Sequence, residues 1–185
     1  MKYYKNADYT LDELEKKLQA FVPDPNLPHD PFAVIAIEEA IIAAREGNFG
    51  VGGCLVKEGV VVQRGHNHQF KPYFRSDLHS EMDVMTRFEE RMKERQDMRP
   101  YTLYSSLEPC PMCTLRLINS GVGKVLSIAP DEESGMARTI ERLGPVWAGL
   151  AKRQEFAMAD CSPELQELAL QVWLVPANKL TDALY

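Results

Sequence analysis

Apolar residues are arranged along the chain in two patterns: positions three or four apart, which predict amphipathic helices, and short continuous runs, which predict buried strands. A first helix is predicted by the regularly spaced residues Leu11, Leu14, Leu18 and Phe21. Asp30 before Pro31 indicates the start of a second helix, capped by the carboxylate and running to about Glu46. The proline-rich stretch VPDPNLPHDP separates the two helices.

The middle of the chain predicts strands and helices in alternation. The stretch VGGCLVKEGVVVQRG predicts a hairpin that turns at Glu58 and Gly59. After a polar loop, helical spacing predicts a helix over about residues 78–92, with Asp77 as its cap. YTLYSS predicts a strand, PMCTLRLINSG a helix and GKVLSIA another strand. A helical or mixed stretch over residues 134–153, a short strand EFAMA and a last helix from Pro163 to Trp173 complete the series.

Strands that alternate with helices predict a sheet covered on both faces. The predicted fold class is therefore α/β, a three-layer α-β-α sandwich around a five-stranded mixed sheet. A chain of 185 residues is long enough for one domain with a sizeable core. We expect a helical extension in residues 1–30, the main domain in residues 31–175 and a tail in residues 176–185. Ligands are expected at the carboxyl ends of the parallel strands.

Composition narrows the class of protein. The net charge of -6 and the mixing of basic with acidic residues, as in FEERMKERQDMR, disfavour a nucleic-acid surface. The apolar runs are far shorter than a membrane span, and the N-terminal stretch lacks the pattern of a secretory signal, so we expect a cytoplasmic protein. In that reducing compartment the 4 cysteines are more often free, catalytic or metal-bound than disulfide-bonded.

Cys110 and Cys113 follow a predicted strand and open a predicted helix. Residues three apart share a helix face, so both sulfurs can reach one ion, and a helix N-terminus favours the thiolate form that binds metals. His79, predicted in the first turn of another helix, could complete an open three-ligand zinc site. Glu81 points to a different side of that helix, which suits a general base better than a metal ligand.

Two other interpretations of the cysteine pair stay open at this point. A pair with this spacing between a strand and a helix also suits a thiol redox protein, which would leave His79 and Glu81 without a role. A structural zinc site, closed by Glu108 or Cys161 as the fourth ligand, would make the chain a binding or assembly protein.

The stretches HSE, residues 79–81, and PCPMC, residues 109–113, together resemble the H-x-E and P-C-x-x-C signature of the zinc-dependent cytidine and nucleobase deaminases. The resemblance implies the cytidine deaminase-like fold and makes residues 31–175 a catalytic domain. It implies Zn2+ held by His79, Cys110 and Cys113, with Glu81 as the proton shuttle.

The same resemblance suggests where a substrate binds. Asn67 stands where these deaminases carry a substrate-binding asparagine, and Ser80 stands where the family usually has alanine, with its backbone N–H still available. Gly50 replaces a frequent proline. Trp147 lies in GPVWAGLAKR, which resembles bacterial guanine deaminases. The expected substrate-binding residues are Asn67, Ser80, Glu108, Pro109 and Trp147.

The implied reaction replaces an exocyclic amine on a heteroaromatic ring with oxygen and releases ammonia. A helical stretch before EFAMA makes the last strand parallel to its neighbour, as in the tRNA-adenosine, dCMP and guanine deaminases. Because the acidic balance argues against tRNA, we expect a free nucleobase or similar small ring, with guanine leading and cytidine, dCMP or tRNA adenosine as alternatives. The resemblance also implies a homodimer or larger homo-oligomer. From the charge and the short apolar runs we expect no nucleic-acid and no membrane partner.

Overall fold

A computed structural model describes residues 4–184 and confirms the predicted five-stranded mixed sheet between two layers of helices. The strands are β1 Gly52–Lys57, β2 Val60–His66, β3 Tyr101–Leu107, β4 Lys124–Ala129 and β5 Glu155–Met158. The α-helices are α1 Leu11–Ala20, α2 Asp30–Glu46, α3 Ser80–Met92, α4 Pro111–Ser120, α5 Pro145–Ala151 and α6 Pro163–Asp182. Within residues 4–184, no helix has the length and hydropathy needed to cross a membrane.

The sheet has the order β2-β1-β3-β4-β5. β1 runs antiparallel to both of its neighbours, whereas β3, β4 and β5 run parallel, as predicted for the last strand. The hairpin turns where predicted, because Glu58 and Gly59 both take the positive φ angles that a tight two-residue turn requires. The ends of β3 and β4 therefore meet at one edge of the sheet, the edge at which α3 and α4 begin.

Each face of the sheet has its own apolar core. On one face, α2 and α6 pack against the strands and α1 packs outside them, through residues such as Leu14, Ile37 and Leu165. On the other face, α3 and α4 bury Met85 and Leu117 against β1, β3 and β4. The first face leaves so little space at Gly52 that an added Cβ would lie 2.3 Å from the backbone nitrogen of Ala40.

Two predicted helix caps are wrong. His29, not Asp30, is the N-cap of α2, and the Asp30 carboxylate instead accepts hydrogen bonds from Ser162 and from the backbone of Asp24. His79, not Asp77, is the N-cap of α3, since the Asp77 carboxylate pairs with Arg75 at 2.8 Å. Asp30 is engaged by donors from two other segments of the chain, and Asp77 by the charged guanidinium of Arg75 two residues before it.

The last helix is longer than predicted. α6 continues past Trp173 and through Pro176 to Asp182, so most of the expected tail is helical, and Tyr185 lies outside the described residues. The stretch predicted as helical or mixed before β5 contains a short 3-10 helix, Ile140–Arg142, and α5. The division into an extension, a catalytic domain and a tail stays a prediction.

Candidate metal centre and its pocket

Two helix starts bring the predicted metal ligands together. His79 is the N-cap of α3 and Cys110 the N-cap of α4, and Cys113 lies in the first turn of α4. One ligand atom from each of the three residues lies within 4.8 Å of the others, and the Cys110 sulfur is 3.6 Å from Nδ1 of His79. The chain therefore presents one nitrogen and two sulfurs to a common point, which is the donor set that zinc prefers.

The electrostatics of the set favour a negative charge on the sulfur of Cys110. A hydrogen bond from Cys113, together with His79, outweighs burial and lowers the pKa of Cys110 to about 4. The pKa of Cys113 is raised well above its usual value by its bond to the Cys110 thiolate and by burial. Of the two sulfurs, Cys110 is therefore the one that favours the thiolate, which is the form that binds a metal. Burial opposes a charged His79, but Cys110 outweighs it and raises the pKa of the imidazole.

Glu81 lies beside this set and is almost fully buried. Its carboxylate accepts hydrogen bonds from the hydroxyl of Ser80 at 3.0 Å and, more weakly, from that of Ser105 at 3.5 Å. Burial raises the pKa of Glu81, and the negative charge of Cys110 raises it further. A carboxyl group with a raised pKa that lies beside a bound molecule can exchange a proton with it.

The metal set opens into a cavity of about 280 Å³. His79, Glu81 and Cys110 line one part of it, at the carboxyl end of β3. The opposite wall comes from the two ends of the chain and includes Tyr4, Trp173, Thr181 and Leu184. Tyr4 packs edge-on against Trp173, with ring centroids 4.5 Å apart, and its backbone exchanges two hydrogen bonds with the side chain of Asn178.

Asn67 and Glu108, both predicted to bind substrate, line this cavity. Asn67 is buried, and its side-chain oxygen accepts a hydrogen bond from the backbone of Gln69 at 2.9 Å. Glu108 is held on the protein side: its carboxylate accepts from Nε and the backbone N–H of Arg138, at 2.7 and 2.8 Å, and from the backbone of Asp131. Glu108 therefore frames the cavity, whereas Asn67 keeps its amide nitrogen available.

Three other predicted residues lie elsewhere. Ser80 is fully buried behind Glu81, and the backbone oxygen of Pro109 accepts hydrogen bonds from Thr114 and Met136. Neither residue is among the described residues that line the cavity. Trp147 lies on α5, which packs against α4 and the short 3-10 helix; its ring is exposed and is not among the described residues that line the cavity, so its role in substrate binding stays a prediction.

Sequence reasoning missed several residues of the cavity. Gln69, Asp131 and Ser134 line it from loops, and Tyr4 and Leu184 line it from the two ends of the chain. Loop residues carry no periodic signal, and the two ends meet only through α6. The proximity of Gln69 to Asn67 in the sequence is the one clue that the chain offered.

The three metal ligands lie within a stretch of the chain that matches a known protein family. Residues 28–129 match the family model described as the cytidine and deoxycytidylate deaminase zinc-binding region. The tRNA-specific adenosine deaminase of Bacillus subtilis is 37% identical over 110 residues, which are 58% of this chain and 66% of that protein. The tRNA-specific adenosine deaminase of Aquifex aeolicus is 32% identical over 104 residues, 56% of this chain and 68% of that protein. The match thus spans about two thirds of these bacterial relatives.

Solved structures share the architecture. The guanine deaminase of Nitrosomonas europaea has a TM-score of 0.62 at 17% identity, covering 96% of this chain and 98% of that one. A tRNA:A34 deaminase also has a TM-score of 0.62, at 19% identity, covering 77% of this chain and 98% of that one. At these identities the likeness shows the fold, and it confirms the predicted cytidine deaminase-like class.

Proposed function

We propose that the chain, which belongs to the cytidine and deoxycytidylate deaminase zinc-binding family, is a deaminase. It would replace an exocyclic amine on a heteroaromatic ring with oxygen and release ammonia. The observation that carries the proposal is the shared cavity: two members of the metal set, His79 and Cys110, line it together with the buried carboxylate of Glu81. A structural zinc site has no use for such a carboxylate, and a thiol redox site has no use for His79.

In this proposal each residue has a separate task. His79, Cys110 and Cys113 would hold a zinc ion, which when bound would supply the Lewis acidity for the attack of water on a ring carbon. Glu81 accepts a proton on its carboxylate and gives it to a ring nitrogen or to the departing amine. Asn67, whose side-chain oxygen is already bonded to Gln69, donates from its amide nitrogen and orients the ring.

The first substrate candidate is adenosine within a tRNA. The two bacterial relatives, at 37% and 32% identity, are both named tRNA-specific adenosine deaminases. These identities support an adenosine substrate more directly than they support the guanine predicted from the sequence. The family model ends at Ala129 and therefore does not include α6, which forms part of the cavity wall. The family match gives no support for a substrate from that part of the wall.

The second candidate is a free base, with guanine leading. Two observations favour it: the chain carries a net charge of -6, and its own ends, through Tyr4 and Leu184, form a wall of the cavity. A tRNA loop must reach the ring with its backbone still attached, and its phosphates favour a basic surface. We retain the cytoplasmic location and a homodimer or larger assembly as parts of the same proposal.

Ammonia release tests the reaction and its substrate together. The zinc-loaded full chain is assayed on guanine, adenine, cytosine, their nucleosides, dCMP and a tRNA anticodon stem-loop with adenosine at the wobble position. We expect Glu81→Gln to lower kcat by about 100-fold or more while zinc content stays unchanged. Glu90→Gln, an exposed position on the same helix, is the matched control and keeps full activity.

The outcomes separate the candidates. Turnover of the stem-loop but not of free bases supports the first, and the reverse supports the second. Full zinc occupancy without turnover on any of these rings would overturn the catalytic proposal, and absence of zinc binding would return the cysteine pair to the redox interpretation.

A further inference from the structure

A second group of metal-binding side chains lies outside the cysteine set. Ligand atoms of Glu46, His66 and His68 lie within 4.8 Å of one another. Glu46 is the last residue of α2, and His66 is the last residue of β2. His66 is buried, and the side chain of His68 is only 16% exposed. The fold has therefore enclosed two imidazoles beside a carboxylate.

The two nitrogens of His66 face different carboxylates. Nδ1 lies 2.8 Å from the carboxylate of Glu39, and Nε2 lies 3.2 Å from that of Glu46. When Nδ1–H donates to Glu39, the lone pair of Nε2 points towards Glu46 and is free for a metal. A carboxylate behind the ring is the arrangement that orients histidine ligands in metalloproteins. Glu39 is held in place on its other side by Arg64, at 3.2 Å.

His68 repeats this arrangement. Its Nδ1 faces Glu46 at 3.8 Å, and its Nε2 faces the buried carboxylate of Asp83 at 3.7 Å. Arg87 pairs with Asp83 at 2.8 Å and lies 3.3 Å from the same nitrogen of His68. Because a guanidinium can only donate, Nε2 of His68 accepts from Arg87, and the ion-free imidazole carries its hydrogen on Nδ1, towards Glu46. Metal binding at Nδ1 would move that hydrogen to Nε2, on the side of Asp83. Both imidazoles thus have a carboxylate behind them and Glu46 in front.

We propose that Glu46, His66 and His68 form a second site for a divalent transition-metal ion, separate from the cysteine set. Two imidazole nitrogens and one carboxylate oxygen suit Zn2+, Co2+, Ni2+ or Cu2+. Glu46 also ends a helix, where the partial negative charge of the backbone favours a cation. Because the Glu46 side chain is 45% exposed, an ion can enter from solvent and keep water as its further ligands.

The proposed second site is connected to the cavity through Asn67. Asn67 lies between the two histidines in the chain and lines the cavity. An ion bound by both neighbours would fix the backbone of this residue from either side.

Nickel binding tests the proposal on the full chain without a histidine tag. The cysteine set is first filled with zinc, the protein is titrated with Ni2+ by calorimetry, and zinc and nickel are counted separately after dialysis. We expect one nickel ion per chain in addition to zinc. Glu46→Gln and His68→Gln should weaken nickel binding by at least roughly tenfold and leave zinc content unchanged.

Glu38→Gln is the matched control, because Glu38 lies on the same helix, pairs with Arg64 and is outside the cluster. It should bind nickel as the unmodified chain does. Circular dichroism and the zinc count establish that each variant is folded. The proposal is overturned if the unmodified chain retains no nickel beyond its zinc, or if Glu46→Gln and His68→Gln bind nickel as tightly as Glu38→Gln.

Discussion

Replacing Asp30 by alanine should cost far more stability than its place at the start of a helix suggests. The side chain is fully buried, and its carboxylate accepts three hydrogen bonds. They come from the backbone N–H of Ser162 at 2.7 Å, from the hydroxyl of Ser162 at 2.6 Å and from the backbone N–H of Asp24 at 3.0 Å. The carboxylate thus ties the start of α2 to the start of α6 and to the loop that precedes α2.

The size of the effect depends on the hydrogen-bond donors that lose the Asp30 carboxylate as their acceptor. The partly buried backbone N–H of Ser162 costs about 1–3 kcal/mol when it loses its partner, whereas the backbone N–H of Asp24, an exposed residue, and the hydroxyl of Ser162 can bind water at a smaller cost. Asp30→Ala should therefore lower the free energy of unfolding by about 2–4 kcal/mol, a large part of the 5–15 kcal/mol typical of a domain. Ser162→Ala, which removes only the hydroxyl, should cost about 1–2 kcal/mol.

Urea unfolding at equilibrium, followed by circular dichroism at pH 7, measures both variants. The reasoning is refuted if Asp30→Ala costs less than about 1 kcal/mol or no more than Ser162→Ala. A change only in m, the slope of the unfolding free energy against urea concentration, would also contradict the reasoning. The substitution removes hydrogen bonds and should not change the surface exposed on unfolding, which sets m.

The same carboxylate predicts a pH dependence with a definite sign. Burial alone would raise the pKa of Asp30, but the hydrogen bonds from Ser162 and Asp24 outweigh it and hold the pKa below its usual value of 3.8. A carboxyl group with a lowered pKa in the folded state stabilises fully above the unfolded value and loses that effect as the pH falls through the folded value. The stability difference between the unmodified chain and Asp30→Asn should therefore shrink below about pH 4.

Two further outcomes are expected. Gly52→Ala should lower stability by about 2 kcal/mol or more, because the new Cβ would lie 2.3 Å from the backbone nitrogen of Ala40, and a thermal melt no lower than that of the unmodified chain would contradict this. After removal of zinc by a chelator, iodoacetamide at pH 6 should label Cys110 before Cys54, since their pKa values are lowered to about 4 and raised to about 12. Peptide mass spectrometry measures the order, and faster labelling of Cys54 would show that the thiolate assignment is wrong.

The metal set could be predicted because its signals are local. The His79–Glu81 stretch and the Cys110–Cys113 stretch each fall at the start of a helix. A short signature of this kind can be recognised from a few consecutive residues. The turn at Gly59 is equally local, since two residues fix its geometry. The order of strands and helices follows from periodicity, which is a property of neighbouring residues.

The rest depends on partners that are distant in the chain. The carboxylate of Asp30 indicated a helix cap because its true partner, Ser162, lies 132 positions away. The last helix was predicted to end at Trp173, but it continues through Pro176, because the buried residues Leu174 and Ala177 on either side of that proline pack on the core. In the same way, no local pattern shows that two carboxylates enclose His66.

The cavity wall that joins Tyr4 to α6 sets the order in which the site can be completed during synthesis. The ribosome delivers residues in chain order, so the three metal ligands have all emerged by Cys113, before Thr181 and Leu184. Tyr4 emerges before all of them, yet its hydrogen bonds form only after Asn178 has emerged. A nascent chain can therefore bind its metal while the cavity is still open on one side. It can enclose a ring only after α6 has folded against the segment around Tyr4.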